Sequence, residues 1–408
     1  MNSRRVLIAI GLLAVAYNCL RVAAAITGAH WPFTPWFDGI SSYGAQLFGL
    51  VVVLVLALLI ARSAWAGDHS VTFLPSALWG AASGAAVGLF ATYVSTLNEQ
   101  AYGLALFLIT PVLVGFHAAF AAGSRGHTRL RDALGVSMLA IVLLGTALVA
   151  FALEGAICLL MALPIAAPLA LIGALVAYSL RKNRFAHPPT FLLLFIGLAP
   201  FSATVEHALP QNAAIVQVAT SIDIAATPQQ VWQTILQPAR LAAPSQLLFR
   251  AGVAYPLASH IEGAGGSAIR YCDFSTGKLV EPVLIWDQGR RLRFTVRSNP
   301  LPMQEWTPYA RLHPPHLDGF MVSRQGEFLL EQLPNGSTRL TATTWYQDHL
   351  EPAPYWKLWS DYIIHQVHQM VLENVRQRAL ARLEEDGAFE KARGLAADGH
   401  PLASILAP

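Results

Sequence analysis

The stretch VQVATSIDIAATPQQVWQTILQP, residues 216–238, decides how the rest of the chain is interpreted. Its first half alternates apolar and polar residues, which is the period of a strand with one buried face. Thr227 then suits the N-cap of a helix, Pro228 its first position, and Gln230 the partner position of a capping box. Pro238 ends the helix because proline has no N–H to continue it. The stretch therefore predicts a strand that leads into a capped helix at the start of a domain.

The composition of the 408-residue chain indicates two or three domains, of which one is very apolar. Overall, 54% of the residues are hydrophobic and only 12% are charged, unlike an ordinary soluble protein. The formal net charge is +3 without a basic patch, so the sequence gives no indication of nucleic-acid binding. The three cysteines are scattered, and they predict neither a disulfide framework nor a CxxC metal site.

Apolar segments dominate residues 1–210, and a segment of about 20 such residues is long enough to span a bilayer. Seven segments qualify: 6–27, 43–61, 72–97, 101–122, 133–151, 157–180 and 190–205. Gly80, Gly84 and Gly88 recur at four-residue spacing, which allows a neighbouring helix to approach closely. Transporters carry ionisable residues near the bilayer midplane, whereas the few found here lie near segment ends. We therefore expect an all-α transmembrane bundle of about seven spans that acts as an anchor.

Positive charges predict the orientation of this bundle. They occur only in alternate loops: Arg4, Arg5, Arg62, Arg125, Arg129, Arg131, Arg181, Lys182 and Arg184. Because cytoplasmic loops are enriched in Lys and Arg, the N-terminus is predicted to be cytoplasmic in a plasma (inner) membrane. Seven spans then place the C-terminal domain on the outer or periplasmic side. Two questions stay open: whether the seventh segment crosses the membrane, and whether the first, which resembles a signal peptide, is cleaved.

Residues 211–385 predict a separate α+β domain, and residues 386–408 predict a flexible tail. The expected order is strand, helix, a helical turn at 238–245, about six antiparallel strands and a final helix at 353–383. The sequence Pro334-Asn335-Gly336 is a strong hairpin signal between the last two strands. The proline-rich loop 300–318 is interpreted as a lid over a cavity. The predicted inner face of the final helix carries Trp356, Trp359, Ile363, Val367 and Met370.

This order of elements resembles the START/Bet v 1-like (SRPBCC) superfamily, of the polyketide cyclase and lipid-transport type. The resemblance covers about residues 214–382 and rests on SIDIAATPQQVWQTILQP at 221–238, GAGGSAIR at 263–270 and the long final helix. It implies a helix-grip fold, in which a curved antiparallel sheet holds the C-terminal helix with an apolar cavity between them. The superfamily has no universal catalytic residues, so the resemblance assigns no role to any residue of this chain.

The leading hypothesis is a membrane-anchored protein that binds or transfers a lipid or another hydrophobic small molecule in this cavity. The candidate ligand contacts are polar or aromatic: His260, Arg270, Asp273, Glu281, Trp306 and Tyr346. A pair of Arg270 and Glu281 could bind a ligand carboxylate or phosphate, or a carboxylate could act as a general base. The alternative is therefore a cyclase, dehydratase or hydrolase-like enzyme on a hydrophobic substrate. A structural ion pair is the simpler interpretation, and whether the chain is an enzyme stays open.

Histidines form the other cluster of residues that could bind a ligand or a metal. Two lie in the proline-rich loop, and two share one face of the final helix with an aspartate: His313, His316, Asp361, His365 and His368. Together they could form a zinc site. That helical face is predicted to point away from the sheet, however, so a solvated or docking face is preferred, and no metal or cofactor is expected. If the face docks on the bundle, the domain is an interaction module that buries Asp361, His365 and Leu372 there. Nothing in the sequence predicts the oligomeric state.

Overall fold

A computed structural model describes residues 73–93, 95–96, 102–123, 129–182, 213–309 and 312–397, with side chains from residue 75 to residue 386. The chain divides into two compact units. The first unit comprises Met1–Gln211 together with two segments from later in the sequence, Glu305–His316 and Leu350–Pro352. The second comprises Asn212–Gln304, Leu317–His349 and Ala353–Pro408.

The described part of the first unit is helical. Its helices are α1 (Phe73–Tyr93), α2 (Thr110–Gly123), which a π-helical turn at Ala105–Ile109 precedes, α3 (Leu130–Ala150) and α4 (Ala156–Lys182). Among the described residues, three helical segments are long and apolar enough to cross a membrane: Ala105–Gly123, Leu130–Ala150 and Ala156–Lys182. They match the predicted segments 101–122, 133–151 and 157–180. The predicted segment 72–97 forms α1 but is not among the three. The segments 6–27, 43–61 and 190–205 lie outside the described residues, so three candidate spans are found where about seven are predicted.

Glycines bring the helix backbones of the first unit into contact. A Cβ atom at Gly80 would overlap the carbonyl oxygen of Ala118 in α2, and a Cβ atom at Gly84 would overlap the Ala118 methyl group. Between α2 and α4, a Cβ atom at Gly115 would overlap the backbone of Ala170. Such close approach increases the van der Waals contact between neighbouring helices. The predicted close packing around Gly80 and Gly84 is confirmed.

The second unit contains one antiparallel sheet. Its strands are β1 (Ile215–Ile224), β2 (Ala239–Arg240), β3 (Pro256–Glu262), β4 (Ile269–Phe274), β5 (Gly277–Asp287), β6 (Arg291–Thr295), β7 (Met321–Gln332) and β8 (Thr338–Asp348). Their order in the sheet is β1-β8-β7-β6-β5-β4-β3-β2. Three helices accompany the sheet: α5 (Pro228–Leu236), α6 (Leu247–Arg250) and α7 (Ala353–Ala397). This is the predicted helix-grip order, with eight strands instead of about six.

The opening stretch folds as predicted. The Thr227 hydroxyl accepts the backbone N–H of Gln230, while the Gln230 side chain accepts the backbone N–H of Thr227 at 2.9 Å. The apolar face of α5 buries Val231 and Trp232 completely in the core of the second unit. The prediction of a helical turn at 238–245 was wrong. Ala239 and Arg240 instead pair with β3, and the short helix α6 comes later.

Special backbone positions bend the sheet where the sequence predicts turns. Gly263 and Gly265 have φ of 81° and 66°, which a residue with a side chain rarely adopts. Gly336 has φ of 83° in the predicted hairpin between β7 and β8. Pro282 lies near the register shift between Val283 and Ile285, where β5 pairs with β6. Irregular pairing is common beside a proline in a strand, because proline has no N–H to donate to the ladder.

Helix α7 differs from its prediction in length and in the face that it buries. It continues to Ala397, so it includes residues 386–397 of the predicted tail. Its buried residues recur at roughly four-residue spacing: Trp356, Ser360, Ile363, Ile364, His368, Leu372, Val375 and Ala379. Of the predicted stripe, Trp356 and Ile363 are buried, whereas Trp359, Val367 and Met370 are only partly buried. The predicted polar face therefore contacts the sheet instead of pointing away from it, because His368 is buried with hydrogen-bond partners on the strands.

Candidate functional site

The interior between the sheet and α7, called here the grip interior, is almost filled by side chains. Its cavity has a volume of ≈ 20 Å³, which is room for about one water molecule. Trp232 packs edge-on against Trp286, with ring centroids 5.5 Å apart, and Phe294 lies 6.1 Å from Phe328. Pockets for drug-sized ligands measure about 300–1,000 Å³. This cavity is therefore far smaller than the usual site for a ligand of that size.

Arg270 and Glu281 form a buried ion pair beside this cavity. They lie directly opposite each other on β4 and β5, and the Arg270 guanidinium donates to the Glu281 carboxylate. Their exposed fractions are only 7% and 2%. Burial raises the pKa of the Glu281 carboxyl, and the guanidinium opposes that rise. The guanidinium carbon also lies 5.1 Å and 5.4 Å from the ring centroids of Phe294 and Phe328, so cation–π contacts help to hold the charge in an apolar core.

His260 and Asp273 lie on the opposite face of the sheet from this pair. Side chains alternate along a strand, so the burial of Arg270 and Cys272 places Tyr271 and Asp273 on the other face. His260 stacks on Tyr271 with ring centroids 5.1 Å apart, and Asp273 lies 3.8 Å from the Lys278 ammonium. The two therefore do not converge with Glu281. The acid–base pair that an enzyme in the grip interior would need is not built from these three groups.

The last two predicted ligand contacts have other surroundings. Tyr346 is fully buried, and its hydroxyl donates to the Asp361 carboxylate on α7 at 2.6 Å. Trp306 is 66% exposed and belongs to the first unit, in the segment Glu305–His316. This segment packs within the first unit, and the lid over a cavity stays a prediction. Polar backbone groups of the α3–α4 turn hold it there.

The polar face of α7 makes hydrogen bonds that leave little capacity for a metal. His365 Nδ1 lies 2.8 Å from the Thr220 hydroxyl, and His368 Nδ1 lies 3.1 Å from the same hydroxyl. The other ring nitrogen of His368 lies 2.8 Å from the Thr344 hydroxyl. Burial lowers the pKa of His368 to about 4. The predicted zinc set is not formed, since His368 has both ring nitrogens bonded to threonines and Asp361 accepts from Tyr346.

A different group of ligating side chains lies at the α3–α4 turn of the first unit, and we call it the turn cluster. It consists of Tyr102, Glu154, Cys158, Glu305 and His316. Glu154 precedes the first turn of α4, Cys158 lies within that turn, and Glu305 and His316 come from the segment Glu305–His316. Within the described residues, Glu154, Cys158 and His316 form the one group of three whose metal-ligating atoms lie within 4.8 Å of one another.

The side chains of the turn cluster surround the imidazole of His316. Its Nε2 lies 2.9 Å from the Cys158 sulfur and 3.9 Å from Glu305 Oε1. Its Nδ1 lies 3.5 Å from Glu154 Oε2. The Tyr102 hydroxyl donates to the other oxygen of Glu154 at 2.8 Å. A thiol, an imidazole and two carboxylates therefore converge within one buried space.

The start of α4 fixes the position of Glu305. The backbone N–H of Ile157 donates to Glu305 Oε2 at 3.2 Å, and that of Ala156 donates to the Trp306 carbonyl at 2.9 Å. Free N–H groups at a helix N-terminus favour a carboxylate. Gly155 provides the necessary space, since a Cβ atom there would overlap the Glu305 side chain. Ala152 in the same turn has φ of 55°, an unusual value for a residue with a side chain.

Burial dominates the electrostatics of the turn cluster. It raises the pKa of Glu154 to about 8, with the Tyr102 hydrogen bond opposing and Glu305 adding to the rise. It also raises the pKa of Glu305 and lowers that of His316 to about 4. Three buried atoms have no hydrogen-bond partner among the described residues: Glu154 Oε2, Glu305 Oε1 and His316 Nδ1. Orphaned buried polar atoms are rare in folded proteins and need an explanation.

Sequence reasoning selected His316 from this cluster but missed Tyr102, Glu154, Cys158 and Glu305. The available signal was a carboxylate and a cysteine four residues apart at an apolar hairpin turn. The sequence does not predict contact between this turn and the proline-rich loop, because the two stretches lie about 150 residues apart.

Comparison with known proteins gave structural neighbours only. No family model matches the chain, and no curated protein matches it. The protein XoxI from Bacillus cereus is 14% identical, with 40% of this chain and 96% of that chain covered and a TM-score of 0.27. A point mutant of norcoclaurine synthase from Thalictrum flavum is 12% identical, with 42% and 98% covered and a TM-score of 0.27. The protein TTHA0849 from Thermus thermophilus is 14% identical, with 41% and 99% covered and a TM-score of 0.23. Likeness at this level says nothing about what this chain binds.

Proposed function

We propose that this chain is an integral membrane protein whose helix-grip domain binds a small amphipathic molecule with an apolar body and an anionic group. The ligand would lie between the sheet and α7, with the Arg270 guanidinium as its anionic anchor. The observation that carries this proposal is the buried guanidinium at the wall of the grip interior. The resemblance to carriers of hydrophobic molecules, drawn from the sequence, points the same way.

A ligand-binding role would explain why the charged Arg270 side chain is buried. A buried ion pair contributes little net stability, because the loss of hydration offsets the attraction between the charges. Arginine has five N–H donors in a planar fork that suits carboxylates and phosphates. Asn374 and Arg378 of α7 border the same cavity, as do the apolar side chains of Phe328 and Val375. Such walls suit a ligand that is apolar along its body and negative at one end.

The small volume requires α7 to move when a ligand enters. A cavity of ≈ 20 Å³ must expand at least about tenfold to reach the usual size of a ligand pocket. The sheet is continuous from β1 to β2, whereas α7 contacts it through side chains, so displacement of α7 is the less costly change. Ligand binding is therefore expected to alter the hydrogen exchange of α7 more than that of the central strands.

The apolar helices and their charges support the proposed location. Arg129 and Arg131 lie at the start of α3, and Arg181 and Lys182 lie at the end of α4. The α3–α4 turn has no Lys or Arg and lies at the opposite end of both helices. By the positive-inside rule, that turn is on the outer side of a plasma (inner) membrane. The segment Glu305–His316, which packs on the turn, is then also outside, in keeping with a cytoplasmic N-terminus and an outer or periplasmic C-terminal domain.

Matched probes in detergent test the ligand proposal. Oleate and oleyl alcohol have the same chain and differ in the anionic group, so binding of each to the purified full chain can be compared by native mass spectrometry. We expect oleate to bind at least about tenfold more tightly, since hydrogen bonds to a charged group contribute about 1.5–3 kcal/mol. The double variant Arg270→Met/Glu281→Leu should remove that preference without leaving an unpaired charge. Equal binding of the two probes to the wild type, or an unchanged preference in the double variant, would refute Arg270 as the anchor.

Location is tested separately. Alkaline phosphatase fused to the C-terminus should be active in intact cells, because that enzyme matures only outside the cytoplasm, and a green fluorescent protein fusion should be dark when exported unfolded. Fluorescence with an inactive phosphatase would reverse the proposed orientation without affecting the ligand proposal.

A further inference from the structure

We propose that the turn cluster binds a divalent transition-metal ion of the zinc type through Glu154, Cys158 and His316, with Glu305 on the fourth side. The ion would fasten the segment Glu305–His316 to the α3–α4 turn. This inference is independent of the ligand proposed for the grip interior, because all four side chains belong to the first unit.

The geometry is close to that of a tetrahedral site. Zinc bonds to nitrogen, oxygen and sulfur are about 2.0–2.3 Å long, so neighbouring ligand atoms in a tetrahedron lie about 3.3–3.8 Å apart. An imidazole binds one ion through one nitrogen, and His316 Nε2 lies 3.9 Å from Glu305 Oε1. Glu154, Cys158 and His316 each offer one ligand atom, and these three atoms lie within 4.8 Å of one another. The Cys158 sulfur and His316 Nε2, at 2.9 Å, need to separate by less than about 1 Å to match these spacings. Side-chain rotations alone can supply such a shift.

The charge of the turn cluster also calls for a cation. Glu154 and Glu305 are 6% and 5% exposed, and neither forms an ion pair with a Lys or Arg in the part of the chain that the structure describes. Two buried carboxylates beside a thiol are costly unless a positive charge or protons compensate them. One buried carboxylate oxygen each of Glu154 and Glu305 has no hydrogen-bond partner among the described residues. A divalent ion would give both oxygens a partner at once.

The kinds of donor select the kind of metal. Thiolate and imidazole together favour zinc and similar transition metals, whereas magnesium and calcium prefer oxygen donors only. Hydrogen bonds orient the carboxylates: Tyr102 donates to one oxygen of Glu154, and Ile157 donates to one oxygen of Glu305. Outer partners of this kind are typical of metal ligands and hold them in place before the ion arrives.

Four protein donors would close the coordination sphere, which is the pattern of a structural zinc site. The ion would join Cys158 to His316, which are 158 residues apart in the sequence. Its expected role is therefore to hold the inserted segment against the two apolar helices, and not to activate a substrate.

Metal analysis of the full chain tests this inference. We expect about one equivalent of zinc per chain, measured by plasma mass spectrometry after purification in detergent without chelators. Cys158→Ala and His316→Gln should each lower the bound zinc at least about tenfold. Cys272→Ala and His260→Gln make the same chemical changes in the second unit and should leave the zinc content unchanged.

Cobalt provides a readout that does not depend on the folding of a variant. After removal of zinc by a chelator, addition of Co²⁺ to the wild type should produce the near-ultraviolet charge-transfer band of a cobalt–thiolate bond. Zinc removal should also lower the melting temperature of the wild type but not that of Cys158→Ala. Wild-type protein with little zinc and no cobalt–thiolate band would overturn the inference and leave a network neutralised by protons. Zinc retained in full by both ligand variants would overturn it as well.

Discussion

Replacement of Glu281 by glutamine isolates the energetic cost of the buried charge in the grip interior. Glu281→Gln keeps the size of the side chain and one acceptor oxygen but removes the negative charge that faces Arg270. Loss of one partner from a buried ion pair costs about 3–5 kcal/mol, because the other charge stays buried without compensation. The cation–π contacts of Arg270 with Phe294 and Phe328 are present before and after the change, so they do not alter the difference. Since the amide oxygen still accepts from Arg270, we expect the lower end of the range, about 3 kcal/mol.

Hydrogen exchange measures this loss in the second unit of the intact protein. Peptides from β4 to β7 should exchange about 100-fold faster in Glu281→Gln, as expected for strands that exchange only when the unit opens. The matched control is Arg270→Met/Glu281→Leu, which removes both charges at similar volume. It should be as stable as the wild type or more stable by about 1–4 kcal/mol. If the double variant loses as much protection as Glu281→Gln, the cost does not come from an uncompensated charge, and the reasoning fails.

Two further predictions concern the turn cluster and α7. Gly155→Ala should push Glu305 from the start of α4 and cost about 1–3 kcal/mol, with faster exchange in peptides from the segment Glu305–His316. Gly135→Ala, whose Cβ would meet open space in α3, is the control, and equal behaviour of the two would contradict the packing argument. Because burial lowers the pKa of His368 from 6.5 to about 4, the folded state binds fewer protons than the unfolded state. The second unit should therefore lose roughly 3 kcal/mol as the pH falls from 6.5 to 4, measured by exchange of β1 and β8, and His368→Gln should abolish most of this slope.

Local chemistry explains which parts of the fold were predictable. The capping box at Thr227, the proline that follows it and the Asn335-Gly336 turn act through neighbouring residues, so the sequence alone identifies them. The face of α7 was misassigned because burial was inferred from hydrophobicity. His368 is polar, yet Thr220 and Thr344 satisfy both of its ring nitrogens and make its burial acceptable.

The candidate sites were less predictable because they depend on contacts between distant residues. Arg270 and Glu281 pair across a local hairpin, since β4 and β5 are adjacent in the sequence. The sequence predicted this pair correctly. The small volume of the cavity depends on how side chains such as Trp232 and Phe328 pack against each other. That packing cannot be predicted from any single segment of the sequence. The turn cluster forms only when a loop from later in the sequence packs against the α3–α4 turn. Neither stretch has a sequence pattern that predicts this contact.

The return of that loop has a consequence for the biogenesis of the protein. Ile157 and Glu305 are 148 residues apart, so ribosomes that add about 5–20 residues per second need roughly 7–30 s to supply the second after the first. During this interval the helical hairpin of α3 and α4 exists without its carboxylate partner at the start of α4. Nascent chains arrested before residue 305 should therefore present an unfinished helical hairpin to quality-control proteases, and synthesis of the proline-rich loop becomes the step that completes the start of α4.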